Sequence, residues 1–183
     1  MSFTLQEFAA ACHRSLVESP GVPGREKMRA LVEKVLADKE FVTTHFSGKL
    51  AERKVLYEDP QFGFCILAHA YEGARNSNPH DHGPSWAIYG QVAGETIMSD
   101  WALVEPPKNN QPGKVRFVKD YTLKPGMARL YNEGDLHSPR REKATRLLRI
   151  EGTNLEKVRR LPYERVADSD PQQRSAQRLP AAE

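Results

Sequence analysis

Apolar positions in the first forty residues recur at helical spacing. Phe3, Leu5, Phe8, Ala9, Cys12 and Leu16 predict an amphipathic helix over 3–17, and Met28, Leu31, Val32, Val35 and Leu36 predict a second over about 24–38. Ser19-Pro20-Gly21-Val22-Pro23-Gly24 separates them, since proline and glycine together interrupt a helical period. Residues 41–46 read as a loop or a short helix. From about residue 53 the pattern changes. Runs rich in β-branched and aromatic residues predict strands at 53–57, 62–71, 86–92, 95–104, 115–121, 127–131 and 146–152. Turn chemistry lies between them, at Asp59-Pro60, Gly83-Pro84, Pro125-Gly126 and Glu133-Gly134 among others. Many short strands at this spacing predict a sandwich or barrel. The expected organisation is a helical segment over 1–46 packed on a β body over 47–165. A polar stretch over 166–183 reads as a disordered tail.

The bulk numbers narrow the function classes. A chain of 183 residues suits one domain, and 39% hydrophobic with 28% charged residues is ordinary for a globular protein. The uncharged stretch from Gly83 to Gly94 has 12 residues, against the roughly 20 apolar residues that a membrane helix needs. The N-terminus lacks a basic region followed by an apolar run, so a cytoplasmic protein without a membrane partner is expected. Two distant cysteines, Cys12 and Cys65, make no disulfide framework. Arg140 to Arg165 holds nine Lys/Arg against four Asp/Glu, but with a single aromatic, Tyr163, there is no aromatic interleaving pattern; this reads as a solvated face, not a nucleic-acid site. A small-molecule substrate is the expected partner, with the chain a monomer or homodimer.

The chemistry is concentrated in two segments, Pro79-His80-Asp81-His82 and Gly134-Asp135-Leu136-His137. Residues i and i+2 of an extended chain share a face, so His80 and His82 can hold one ion together. His137, entering a strand after a Gly-Asp turn, offers the third imidazole. His13, His45 and His69 lack such a setting and read as structural or surface residues.

These segments resemble the two metal motifs of the cupin superfamily. His80-x-His82 and Gly94 match the first, with its glutamate position falling on Ala87, and Gly134 and His137 match part of the second, with its asparagine position falling on Arg141. A first motif without its carboxylate resembles the thiol dioxygenases, the branch holding cysteine dioxygenase and 3-mercaptopropionate dioxygenase. Arg53 to Pro60 and Phe62 to Leu67 extend that resemblance over roughly residues 50 to 155. It implies an all-β fold, a cupin double-stranded β-helix (jelly-roll) barrel with two N-terminal helices. It also implies iron(II) on His80, His82 and His137, with zinc or nickel as alternative occupants, and O2 as co-substrate. The Ser-x-His-x-Tyr relay of those enzymes is not retained, its positions being Leu147, Arg149 and Glu151. The expected activity is a non-haem iron dioxygenase oxidising a small anionic substrate such as a thiol. A metal-dependent isomerase or hydrolase, or a ligand-binding cupin without turnover, is the alternative.

Further roles follow from the resemblance and from strand parity. Arg53 is the candidate to hold a substrate carboxylate, by a bidentate pair, and Tyr57 and Trp86 are candidates to contact substrate beside it. Tyr89 and Gln91 share the face of Ala87 and are candidates to orient substrate and a metal-bound water. Arg149 and Glu151 share a face of the late strand, as a buried ion pair replacing the relay, as the lining of a polar pocket, or as a surface ion pair. Asp81 is expected to point away from its histidine neighbours.

Overall fold

A computed structural model describes residues 2–109 and 111–166. Three helices come first: α1 (Leu5–Glu18), α2 (Val22–Leu36) and α3 (Lys39–Phe46). Thr4 starts α1 through a capping box: its Oγ1 accepts from Glu7 N at 3.2 Å, and Glu7 Oε2 accepts from Thr4 N at 2.8 Å. Phe8, Cys12 and Leu16 then repeat every four residues and turn one face inward. Asp38 caps α3 with hydrogen bonds from Glu40 N and Phe41 N, so the 41–46 segment is helical. A third helix on top of the two expected makes "all-β" too narrow a description of the chain.

Among the described residues the strands are β1 (Arg53–Glu58), β2 (Cys65–Tyr71), β3 (Arg75–Asn76), β4 (Ala87–Ala93), β5 (Thr96–Glu105), β6 (Gly113–Leu123), β7 (Ala128–Tyr131), β8 (Leu136–Arg141), β9 (Thr145–Glu151) and β10 (Tyr163–Arg165). They form two five-stranded sheets, ordered β1-β2-β9-β4-β7 and β10-β6-β5-β8-β3. Every pairing among these strands is antiparallel except β10 with β6. The run expected to begin a strand at 62 starts one at Cys65 instead. Asp59 Oδ1 accepts from Gln61 N and Phe62 N, and Gly63 takes φ +71°, so 59–63 is a turn. The polar tail falls, from residue 167 on, outside the described residues.

Side-chain alternation divides the first sheet into two working faces. Phe64, Ile66, Ala68, Ile88, Leu130, Leu148 and Ile150 face the helices and pack with Phe8, Met28, Val32 and Phe41. Each such buried side chain contributes roughly 1.5–3 kcal/mol. α2 lies so close to β4 that a Cβ on Gly90 would come within 2.5 Å of Val32 Cγ1. The opposite face points at the second sheet, where Ala87, Tyr89, Tyr131 and Leu147 pack against Met98 and Leu123. The interior between the sheets, away from the helices, holds the candidate chemistry. Cys12 and Cys65 are buried free thiols. Among the described residues, no helix is long and apolar enough to cross a membrane.

Candidate metal centre

His80 and His137 face each other in an antiparallel bridge. His80 N donates to His137 O at 3.0 Å, and His137 N donates to His80 O at 2.9 Å. Directly opposed residues of such a pair project to one face, so the backbone itself brings two distant segments together. His82, two residues on, joins them. Ring centroids lie 4.6 Å apart for His80–His137, 4.8 Å for His82–His137 and 5.9 Å for His80–His82. One nitrogen from each ring falls within 4.8 Å of the others, and no carboxylate belongs to the cluster among the described residues.

Local acceptors orient two of the rings. Nδ1 of His80 donates to Asn78 O at 2.8 Å, and Nδ1 of His137 donates to Asp135 O at 3.0 Å. In a neutral imidazole this leaves Nε2 bare, the arrangement that metal-bound histidines ordinarily show. His82 differs, because its Nδ1 is buried without a partner. Burial, then the neighbouring positive groups, hold all three rings neutral. His80 is pushed down to about 4, chiefly by desolvation, and His82 and His137 lie far below the usual histidine range for the same first reason. Three neutral nitrogen donors converging in a dry interior fit a first-row divalent cation.

Tyr89 and Arg149 complete the centre. The Tyr89 hydroxyl lies 3.2 Å from His82 Nε2 and 3.3 Å from His137 Nε2, and burial raises its pKa. Arg149 Nη2 is 3.2 Å from His82 Nε2, and its guanidinium carbon is 4.5 Å from the centre of the Tyr89 ring. Glu151 is 1% exposed, and its Oε1 pairs with Arg149 Nε at 3.4 Å. On the interior face of β9, Glu151 is therefore buried and Arg149 partly so.

Other expected residues lie elsewhere. Arg53 is engaged by Glu151 at 2.9 Å, Glu156 at 2.8 Å and Asn154 at 2.8 Å, which occupies the donors a substrate carboxylate would need. Tyr57 reaches Asp59 and packs near Phe64 on the helical side. Trp86 precedes Ala87 and so faces the helices, where Arg25 lies 5.3 Å over its ring and a surface cleft opens beside Phe62 and Gly152. Neither Tyr57 nor Trp86 belongs to the histidine face. Gln91 is interior, but its Nε2 donates to Ala93 O at 2.9 Å, leaving Oε1 without a partner. Asp81 accepts from Gly83 N at 3.0 Å and from the Tyr163 hydroxyl at 2.9 Å, fixing the histidine loop to the C-terminal segment.

The structure adds residues that sequence reasoning passed over. Tyr131 stacks on His137 with centroids 3.8 Å apart and shares a hydroxyl–hydroxyl bond with Tyr121, which donates to Asp100 at 3.3 Å. The proximity of Tyr131 to Gly134 was the one available signal. His69 and Arg141, read as structural or merely as a departure from a motif, are both buried in the same interior.

No family model matches the chain, and no curated protein matches it. Among solved structures, it is similar to a cupin-2 domain protein from Shewanella frigidimarina (16% identity, 58% of this chain and 79% of that one, TM-score 0.39). KdgF from a Halomonas species (15%, 59% and 86%, TM-score 0.41) and the Cnp3 cupin domain of Schizosaccharomyces pombe (11%, 61% and 72%, TM-score 0.44) are similar to a comparable degree.

Proposed function

We propose that this chain is a cupin-type metalloenzyme, a non-haem iron(II) dioxygenase that oxidises a small anionic substrate. The observation that supports this most is the convergence of His80, His82 and His137 without a carboxylate inside a β-sandwich. Three neutral imidazoles leave the full charge of a divalent ion uncompensated, which favours an anionic ligand and leaves coordination positions open. Iron(II), held by these three histidines, would activate O2 and orient the substrate, the substrate itself being the reductant.

This chain's own residues set the rest. The strand alternation of β4 aims Tyr89 at the histidines, where its protonated hydroxyl can donate to a bound anion. Arg149 adds a second positive group on the same face, braced by Glu151. The two sheets bury His82 and His137 completely, while His80 stays partly exposed at the rim. With Arg149 and Glu151 at the relay positions, a carboxylate-bearing or enolate substrate suits the face as well as a thiol does. A second reading, metal-dependent isomerisation or hydrolysis without O2, is favoured by the protonated Tyr89 hydroxyl as a general acid.

The test is O2 uptake by the iron(II)-loaded protein with cysteine, 3-mercaptopropionate, catechols and diketones. Uptake that disappears in His82→Ala supports the dioxygenase. Turnover by the zinc-loaded protein under nitrogen selects the second reading instead.

A further inference from the structure

Arg53, the candidate for a substrate carboxylate, already donates to Glu151, Glu156 and Asn154. Another guanidinium in the interior has no such set of acceptors. Arg141 ends β8 four residues after His137, so both side chains leave the same face of the strand. It is 3% exposed. Among the described residues no carboxylate pairs with it, and its Nε is buried without a hydrogen bond. Its guanidinium carbon lies 4.4 Å over the Tyr71 ring. That contact compensates only part of a desolvated charge, and an uncompensated buried charge is strongly destabilising.

The groups around Tyr71 share this deficit. The Tyr71 hydroxyl is 3.3 Å from His69 Nδ1. If that hydroxyl donates, the neutral ring carries its proton on Nε2, and His69 Nε2 is itself buried without a partner in a residue 5% exposed. Thr145 pairs opposite Tyr71 on β9, and its buried hydroxyl has no partner either. Arg141 Nε–H, His69 Nε2 and the Thr145 hydroxyl are thus three buried polar groups without partners in one part of the interior. Arg141 shares its strand face with His137, and its charge is felt at Tyr89, whose hydroxyl touches His82 and His137. The missing component is an acceptor with negative charge.

We propose that Arg141, with His69 and Thr145 around the Tyr71 ring, is the seat for the carboxylate of the substrate handled at the three-histidine centre. The assignment rests on the reading of that centre as one acting on a small anion. It moves the anchoring role from Arg53, at the edge of the first sheet, to the second sheet, on the strand that also carries His137.

Propionate is the probe, with 1-propanol as its neutral match, titrated into the full chain at constant ionic strength. Metal-free and zinc-loaded protein are compared by calorimetry and thermal melting. The wild type is expected to bind propionate saturably and to melt several degrees higher with it, while 1-propanol does nothing. Arg141→Met should weaken propionate binding at least tenfold, with Arg141→Lys intermediate, because lysine keeps the charge but loses the planar fork. Without any anion, Arg141→Met should melt no lower than wild type, since it removes an uncompensated charge; a purely structural arginine would give a lower melting point. Unchanged propionate affinity in Arg141→Met overturns the proposal, as does the absence of saturable binding in wild type. Should Arg141→Met not fold, the wild-type titration and Arg141→Lys decide. Zinc binding with Arg141-independent propionate affinity removes the seat and keeps the metal centre; Arg141-dependent propionate affinity with no zinc bound does the reverse.

Discussion

Arg149 places a guanidinium nitrogen 3.2 Å from Nε2 of His82, so a fixed cation shares the lone pair that a metal ion would take. Like charges repel most where water is excluded. Replacing Arg149 by Met removes both the competition and the repulsion, while Arg53 still compensates Glu151. Zinc affinity, measured by titration calorimetry, is expected to rise about tenfold in Arg149→Met, a gain of about 1.4 kcal/mol. A fall would show that the arginine supports the ion instead of opposing it.

His82 is the candidate ligand whose Nδ1 has no partner to orient it; its polar contacts, with Tyr89 and Arg149, are all at Nε2. His82→Ala removes one of three donors and leaves the His80–His137 bridge intact. The variant should fold, with near-wild-type circular dichroism, and lose metal affinity by about 100-fold or more, the upper end of what outer-shell changes cost elsewhere. Retention of one metal per chain by elemental analysis would contradict the site.

Arg53 stabilises the fold by neutralising Glu151, a carboxylate 98 positions along the chain whose Oε2 also accepts from Leu155 N at 3.0 Å. Arg53→Met leaves Glu151 with the looser Arg149 contact as its one charged partner among the described residues, beside the Leu155 N–H. Breaking a buried pair costs about 3–5 kcal/mol, and partial exposure of Arg53 together with the remaining arginine reduces this to roughly 1–3 kcal/mol. Urea denaturation should show that loss as a lower midpoint with an unchanged slope.

These residues also show what the chain discloses before it folds. His80-x-His82 and Gly-Asp-x-His137 are short-range patterns; strand parity reads the first pair, and the resemblance to the two cupin motifs carries their union with His137. Helices α1 and α2 and seven of the strands follow from periods of 3.6 and 2. Strand β8 was harder, because Pro139 sits within it, where a strand ordinarily needs an N–H. Trp86 and Tyr57 were assigned to substrate by neighbourhood, yet one step in parity moved Trp86 to the helical face. Arg53, Tyr131 and Arg141 take their roles from pairings between strands far apart in sequence, and no local pattern encodes the identity of a cross-strand partner.

Gly90 tests the helix layer. A Cβ there would meet Val32 Cγ1 at 2.5 Å, Leu36 Cδ1 at 3.1 Å and Leu148 O at 3.2 Å. The side-chain contacts can yield only by lifting α2 from β4, and overpacking of this kind costs about 1–3 kcal/mol. Gly90→Ala should lower the melting temperature by several degrees while zinc stoichiometry stays at one, since the histidines lie on the opposite side of the sheet.

Acid should destabilise the metal-free protein earlier than its carboxylates alone would. Burial, reinforced by Arg149, Arg53 and Arg141, holds His69 down to about 3, and burial first holds His80 down to about 4, from an ordinary value of 6.5. Both pKa values are depressed in the folded state, so between roughly 4 and 6.5 the unfolded chain binds protons that the folded chain refuses. Stability must then fall as pH drops through that window, by up to about 1.4 kcal/mol per pH unit for each histidine. Urea midpoints measured at pH 7, 6 and 5 should decline steadily below 6.5, and His69→Leu should flatten that decline by its own share. A midpoint constant from pH 7 to 5 would mean that the interior admits protons freely, which the burial of these rings forbids.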